Sequence, residues 1–127
     1  MSRTSILGFI AGVALALACG NPSGEGNGCA GTGAQHVIDA QDNQQFAPTP
    51  LSVTHGQSVC WQNNGSITHT VTANGATGIV DSSWTPDSVN AQLSPGSLFL
   101  RTFSKQGVHY FYKCSIHAGM IGEIDVL

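Results

Sequence analysis

Short runs of β-forming residues alternate with turn residues from His36 to the C-terminus, and this alternation restricts the chain to an all-β fold. Within one run, Val59 and Trp61 alternate with polar neighbours, which is typical of a strand with one face in the core. The runs and the Gly, Asn and Pro turns between them predict a β-sandwich of seven to eight strands. We expect a long loop around Trp84, and we place strands over residues 35–40, 50–54, 57–63, 68–73, 98–104, 107–114 and 121–127.

Size and charge set further limits. The 127 residues suffice for one domain, which we place at residues 35–127. Charged residues make up only 9% of the chain, and the formal net charge is -3. Because the 4 lysines and arginines are scattered, they cannot form the basic surface that neutralises phosphates, so the composition argues against a nucleic-acid partner.

The first residues have the pattern of an export signal. Arg3 precedes an apolar run over residues 6–18, which is shorter than the roughly 20 residues of a membrane-spanning helix. We therefore predict a signal peptide at residues 1–18 and a glycine-rich flexible tether at residues 19–34. The stretch before Cys19 resembles a bacterial lipoprotein cleavage box, so this residue either receives a lipid anchor or follows a plain cleavage site. Both alternatives predict an exported protein, periplasmic or anchored to a bacterial membrane.

Export favours pairing of the cysteines that have no other role, because the compartment is oxidising. Cys19 belongs to the leader region, and Cys114 lies in the motif described next. Cys29 and Cys60 remain, and they are the candidate disulfide.

The segment from Cys114 to Met120 is the most specific motif of the chain. It has the spacing Cys-x2-His-x2-Met, with His117 in the middle, and it lies between the last two predicted strands. A thiolate, an imidazole and a thioether are soft or borderline donors, which suit copper far better than calcium or magnesium. Cys114 shares its parity with Tyr110 and Tyr112, so its side chain is expected to point into the core.

A second histidine completes the donor set, and the candidate is His69 at the start of a predicted strand. Two histidine nitrogens and one cysteine sulfur in a plane, with a weak bond from methionine, form the arrangement of blue-copper electron-transfer sites. Protein donors fill all of its positions, so no position stays open for a substrate. The sequence therefore predicts a one-electron carrier, not an enzyme, with one copper ion held by His69, Cys114, His117 and Met120.

Purely structural roles are the alternative for these residues: a buried apolar cysteine, a loop histidine and a core methionine. Apart from the initiator, however, Met120 is the only methionine of the chain, and its spacing from His117 and Cys114 favours a ligand. The remaining histidines are expected to be surface residues; they are His36, His55 and His109.

Two parts of the chain resemble the cupredoxin family of plastocyanin, amicyanin and pseudoazurin. The first comprises THGQSVCWQNN at residues 54–64 and THTVT at residues 68–72, and the second comprises residues 107–126 with the copper-ligand motif. The resemblance covers about residues 36–127 and implies a Greek-key β-sandwich with one type 1 copper ion. It also implies a buried His69 and a His117 that reaches the surface, where electron donor and acceptor proteins dock on an apolar patch formed by Ile116, Ala118 and Gly119.

The chain departs from this family in the surroundings of its ligands. Ile116 stands where many relatives have proline, and Thr70 stands where several have asparagine, so Thr70 is expected to support the site through its amide or hydroxyl. Lys113 and Ser115 flank the cysteine where a multicopper oxidase has histidines, which argues against oxidase chemistry. The alternatives to electron transfer are copper delivery or buffering and an enzyme fragment. We expect a monomer.

Overall fold

The structure is a computed structural model that describes residues 28–127, and these residues form two β-sheets packed face to face. The predicted all-β sandwich is confirmed. Within the described residues it has nine strands, more than the seven to eight predicted. The strands are β1 (His36–Gln41), β2 (Gln45–Ala47), β3 (Leu51–Val53), β4 (Gln57–Gln62), β5 (His69–Thr77), β6 (Asn90–Leu93), β7 (Leu98–Phe103), β8 (His109–Lys113) and β9 (Ile121–Val126).

Two of these strands, β2 and β6, were not among those placed from the sequence. Both are short: β2 folds back on β1, and β6 lies at the edge of a sheet beside β5. Neither strand has enough residues to display a clear period of two. They form because neighbouring strands offer free backbone groups, which a sequence pattern does not reveal.

One sheet has the order β2-β1-β4-β7 and the other has the order β3-β9-β8-β5-β6. Their facing sides bury the apolar side chains that alternate along each strand, and this burial supplies the main driving force for folding. Aromatic rings bridge the two sheets: the rings of Trp61 on β4 and Tyr112 on β8 lie 5.3 Å apart in an edge-to-face arrangement. Tyr110, Tyr112 and Cys114 are all buried, which confirms the inward parity predicted for them.

Two loops lie together at one end of the sandwich, which we call the site end. Residues 63–68 lead from β4 into β5, and residues 114–120 lead from β8 into β9. Because β5 and β8 are antiparallel, with Thr72 opposite Lys113, the start of β5 and the end of β8 lie next to each other. The chain thereby brings the region of His69 next to the predicted copper-ligand motif.

The long loop around Trp84 is part of the core. Trp84 is buried against the rings of Phe103 and Tyr110, at 5.6 and 5.2 Å between ring centres, and its indole N–H donates a hydrogen bond of 2.8 Å to the carbonyl of Phe111. The guanidinium of Arg101 covers its outer face. This one side chain fixes the loop against both sheets.

The predicted disulfide is present: Cys29 and Cys60 are joined, and their Cα atoms lie 5.7 Å apart. Residues 28–34, the last part of the predicted tether, are thereby held against β4, where the amide of Cys29 also donates a hydrogen bond to Oε1 of Gln62. The predicted signal peptide at residues 1–18 and the rest of the predicted tether, with Cys19, lie outside the described residues. Over residues 28–127 there is no helix with the length and apolar character needed to span a bilayer.

Candidate metal centre

Three donor atoms meet at the site end. Nδ1 of His69 lies 3.2 Å from Nδ1 of His117, and the latter lies 3.4 Å from Sγ of Cys114. All three donor atoms lie within 4.8 Å of one another. The structure therefore brings together three of the four predicted ligands: His69 at the start of β5, and Cys114 and His117 in the loop after β8.

The motif itself forms a tight connection between β8 and β9. The amide of Cys114 donates to the carbonyl of Met120 over 2.9 Å, and the amide of Met120 donates to the carbonyl of His117 over 3.3 Å. Gly119 has a φ of 81°, a left-handed conformation that glycine adopts without strain. These bonds hold the backbone on both sides of His117 between two fixed strands.

Met120, the fourth predicted ligand, is fully buried in the same core cluster as Cys114. Its backbone is fixed by the two hydrogen bonds just described. Its side chain is therefore held inside the site end of the sandwich, where its thioether could serve as the fourth ligand.

The loop that leads into His69 is held by two residues, Asn63 and Asp42, whose role no sequence motif indicates. Asn63 is fully buried, and its side-chain amide donates to the carbonyls of Ile67 and Leu93 over 2.7 and 2.8 Å. The carboxylate of Asp42 accepts hydrogen bonds from the amide and the hydroxyl of Ser66, at 2.8 to 3.0 Å. Both residues position the backbone immediately before His69.

Asp42 also approaches the loop closely at Gly65. A Cβ atom at Gly65 would collide with the Asp42 carboxylate, so a larger residue would displace this carboxylate from its hydrogen bonds with Ser66. Hydrogen bonds from the side chain and amide of Ser66 lower the pKa of Asp42 from its usual value, because they stabilise the charged form. The sequence marks Asn63 and Gly65 as turn residues. It does not show that Asp42, in the turn between β1 and β2, lies against this turn.

Thr70 links the two loops of the site. Its amide donates a hydrogen bond to Sγ of Cys114 over 3.3 Å, and its Oγ1 accepts one from the amide of Ser115 over 2.8 Å. The expectation that Thr70 supports the site through its amide or hydroxyl therefore matches the contacts it makes.

A chain of hydroxyls extends from Thr70 to the edge strand β6. Thr72 donates to Oδ1 of Asn90 over 2.8 Å, so its oxygen must accept the hydrogen of Thr70, 2.9 Å away. The Thr70 oxygen is then left to accept from the hydroxyl of Ser115 over 3.0 Å as well as from its amide. Asn90 thus fixes the direction of every hydrogen bond in the chain.

The electrostatics of the site favour a neutral imidazole at His69. Burial lowers the pKa of His69, and the neighbouring His117 lowers it further, although the negative charge of Asp42 opposes both effects. Of the two ring nitrogens of His69, only Nδ1 has a polar neighbour among the described residues, since Nε2 is buried without a partner. Nδ1 is thus the ring nitrogen that faces the other donor atoms of the site.

The donor atoms fit a copper ion in chemistry and in spacing. Two imidazoles and a thiolate with a nearby thioether are the donors of a type 1 copper site. Metal bonds of about 2.0 to 2.3 Å place two donors of one ion roughly 3.2 to 3.8 Å apart. The two separations measured here, 3.2 and 3.4 Å, lie in that range.

The ligand histidines differ in exposure. His69 is completely buried, whereas His117 is partly exposed and lies between Ile116, with 55% of its surface exposed, and the exposed Ala118. The imidazole of His117 is therefore accessible from outside at the site end, between two exposed apolar residues.

The other histidines lie elsewhere. His36 contacts Oε1 of Gln57 at 2.8 Å, His55 is exposed beside the carbonyl of Leu127, and His109 is exposed on the outer face of its sheet. None of these three belongs to the group formed by His69, Cys114 and His117.

Comparisons with known proteins agree with this geometry. The sequence profile of copper-binding proteins of the plastocyanin/azurin family matches residues 34–127. A plastocyanin of Mercurialis perennis is 30% identical over 86 residues, which make up 64% of this chain and 86% of that protein.

Two solved structures support the fold. A purple cupredoxin from Nitrosopumilus maritimus superposes with a TM-score of 0.58 at 24% identity, over 72% of this chain and 99% of the other. The Cu(I) form of an amicyanin variant superposes with a TM-score of 0.63 at 24% identity, over 84% of this chain and 95% of the other.

Proposed function

Since this chain belongs to the plastocyanin/azurin family of copper-binding proteins, we propose that it carries single electrons between redox proteins on a copper ion held by His69, Cys114, His117 and Met120. The observation that supports this most directly is the convergence of Nδ1 of His69, Nδ1 of His117 and Sγ of Cys114 within 4.8 Å. When bound, copper supplies exchange of one electron between its two oxidation states.

The residues of the chain hold these donors in a fixed arrangement. Thr70 stabilises the thiolate of Cys114 through its amide, and the hydrogen bonds of the 114–120 loop limit the movement of His117. A site that rearranges little on gaining an electron transfers it with a low barrier, because Cu(II) and Cu(I) prefer different surroundings and a fixed site suits both in part.

A carrier fits the site better than an enzyme. The donor set uses four protein side chains and so provides no position for a substrate. The neighbours of Cys114, Lys113 and Ser115, have no side chain that could lead to a further copper cluster, as the histidines of a multicopper oxidase do.

Electron donor and acceptor proteins dock, in this proposal, on the apolar surface around His117. Ile116 and Ala118 are exposed there, and His117 between them is the one proposed ligand that is not buried, so its imidazole would connect the metal ion to the surface. A small contact surface suits the short-lived complexes that a carrier with two partners requires.

The proposed location is outside the cytoplasm, in the periplasm or at the cell surface of a bacterium, with the protein acting as a monomer. The disulfide between Cys29 and Cys60 supports an oxidising compartment. The predicted signal peptide at residues 1–18 would direct the export, and lipid on Cys19 would hold the protein at a membrane.

Spectroscopy of the copper-loaded protein tests the proposal. We expect an intense visible band from thiolate-to-copper charge transfer that disappears on reduction and returns on oxidation, without loss of copper. Cys114→Ser should abolish the band, and His69→Gln should change the electron-spin spectrum, whereas the matched control His36→Gln should change neither. A colourless complex, or a band that survives Cys114→Ser, would exclude the site. Loss of copper in each redox cycle would favour delivery or buffering instead.

A further inference from the structure

A second group of converging donors lies on the outer face of the five-stranded sheet. His109 on β8 is directly opposite Asp125 on β9, and Glu123 is two residues before Asp125, so the three side chains share one face. Nδ1 of His109 lies 2.5 Å from Oδ1 of Asp125 and 3.4 Å from Oε1 of Glu123. One donor atom from each residue lies within 4.8 Å of the other two.

The charges of this group are unbalanced. Two carboxylates are held together, and within residues 28–127 no lysine or arginine forms an ion pair with either of them. His109 is their only cationic partner there, and it supplies a single positive charge at most. When the imidazole is neutral, the group carries two negative charges and no positive one. A divalent cation would neutralise it.

We propose that His109, Glu123 and Asp125 form a second metal site, which binds a divalent cation of borderline softness, such as zinc or Cu(II), on the outer face of the sheet. One imidazole and two carboxylates are a donor set that these ions accept. Calcium and magnesium are disfavoured, because they prefer oxygen donors alone. The side chains of His109, Glu123 and Asp125 are 51%, 34% and 25% exposed, so remaining positions of the ion would be filled by water.

The site is preorganised, because its three residues lie on two paired strands. β8 and β9 are paired in continuous register from His109 to Lys113, so the three Cβ atoms have fixed separations. Binding requires only that the imidazole lose its proton and turn from a hydrogen bond with Asp125 to a bond with the metal ion. No new backbone arrangement is needed.

This second site is separate from the copper centre. His109 is five residues before Cys114 along β8, which corresponds to roughly 17 Å at the rise of a β-strand. The two side chains also point to opposite faces of the sheet, Cys114 into the core and His109 to solvent. A metal ion at this second site should therefore leave the visible band of the copper centre unchanged. The second site also does not depend on the proposed electron transfer.

Zinc is the probe that tests this site, because it is redox-silent and colourless. Zinc is titrated calorimetrically into the tag-free, copper-loaded protein, while the visible band reports that copper stays in place. We expect one zinc ion per molecule. His109→Gln should lower the affinity for zinc at least about tenfold. A loss of that size is typical when a residue that only supports a ligand is removed, and His109 is proposed as a ligand itself. The matched control, the exposed His55→Gln, should leave the affinity unchanged.

Proton competition provides a second readout. The hydrogen bond and the charge of Asp125 raise the pKa of His109, and Glu123 acts in the same direction. The residues opposite this group on the adjacent strands, Thr77 and Ser52, carry no titratable side chain. As the pH is lowered, the affinity for zinc should fall, because protons compete with the metal ion for the imidazole nitrogen.

Three results would overturn the proposal: no zinc bound while copper is retained, equal affinity in His109→Gln and the parent, or an affinity that does not fall when the pH is lowered. Since all three side chains are exposed, Glu123→Gln and Asp125→Asn provide further variants that are expected to fold, and each should weaken zinc binding in the same way.

Discussion

The amide of Thr70 donates a hydrogen bond to Sγ of Cys114, over 3.3 Å. The residue that follows one proposed copper ligand thus contacts another, so the two loops of the site are coupled directly. Hydrogen bonds to the cysteine sulfur are among the features that set the reduction potential of a blue-copper site. The side chain of Thr70 is bonded to Ser115 and Thr72, so it holds this part of β5 against the loop that carries Cys114.

Thr70→Val should therefore disturb the site without removing a ligand. The variant keeps the shape of the side chain but leaves the amide of Ser115 without its acceptor, which should cost about 1 to 3 kcal/mol in free energy of unfolding. We also expect a changed reduction potential and faster loss of copper to a chelator. Thr70→Ser retains the hydroxyl and should behave like the parent in all three measurements. Equal behaviour of the two variants would show that the hydroxyl chain has no role.

Asp42→Asn should loosen the loop before His69 in a pH-dependent manner. The folded protein lowers the pKa of Asp42 below its unfolded value, so this carboxylate contributes stability above that unfolded value, and the contribution disappears as the pH falls through the lower folded value. The parent should be more stable than the variant at pH 7, and the difference should shrink below about pH 4. Denaturant unfolding of the copper-free proteins at several pH values measures this.

Asp87→Asn is the control for that series. Asp87 is exposed and forms no ion pair or side-chain hydrogen bond within the described residues, so its substitution should have little effect at any of these pH values. A difference between parent and Asp42→Asn that stays constant down to pH 2 would contradict the assigned role of the carboxylate.

The disulfide should stabilise the fold without affecting the copper centre. Cys29 and Cys60 are separated by 31 residues, and closing a loop of that length is worth about 3 to 4 kcal/mol on the chain-entropy estimate. The double variant Cys29→Ala with Cys60→Ala should lose stability of this order in denaturant unfolding. Its visible spectrum should match that of the parent, because Cys60 lies in the other sheet from Cys114. A changed spectrum would contradict the expectation that the disulfide and the copper centre are independent.

Ile116→Glu should slow electron transfer while the site stays intact. In electron self-exchange two copies of the protein must meet through the surface near His117, and a carboxylate there adds like-charge repulsion and polar surface at the contact. We expect the self-exchange rate, measured by NMR line broadening in mixtures of oxidised and reduced protein, to fall on the order of tenfold at low salt. Val80→Glu is the matched control, since it makes the same charge change at a side chain that is 84% exposed on the loop after β5. Equal slowing by both variants would mean that overall charge, not the surface near His117, determines the rate.

Trp84→Phe should destabilise the protein although the loop is irregular. The variant leaves the carbonyl of Phe111 without its 2.8 Å hydrogen bond and removes the larger ring from the core, at a cost of about 1 to 3 kcal/mol. Thermal unfolding of the copper-loaded protein measures this loss, and the copper spectrum should not change. A melting temperature equal to that of the parent would show that the loop is not fixed by Trp84.

Local pattern was sufficient to predict the strands that bury alternate side chains. The parity of Tyr110, Tyr112 and Cys114 correctly placed the thiol in the core, and the choice of Cys29 and Cys60 correctly gave the disulfide. The prediction of His69 as the partner of Cys114 is consistent with the separation of their donor atoms, although their role as copper ligands stays a prediction.

Contacts between distant polar side chains could not be predicted in this way. Asp42 bonds to Ser66, and Thr72 bonds to Asn90, across separations of 24 and 18 residues. Such bonds depend on how turns and edge strands meet in space, and no periodicity marks them. The same reason applies to β6, which follows β5 for only four residues at a sheet edge.

The disulfide also determines where the preceding part of the chain leaves the domain. Gly28 lies beside Gln62, at the end of β4 from which the chain continues into the His69 loop. Any pull exerted through the residues before Gly28 is therefore applied at the site end of the sandwich and not at the opposite end. If those residues are fastened to a membrane, the electron-transferring end faces towards that membrane, and the partners it can reach are those within or close to the lipid surface.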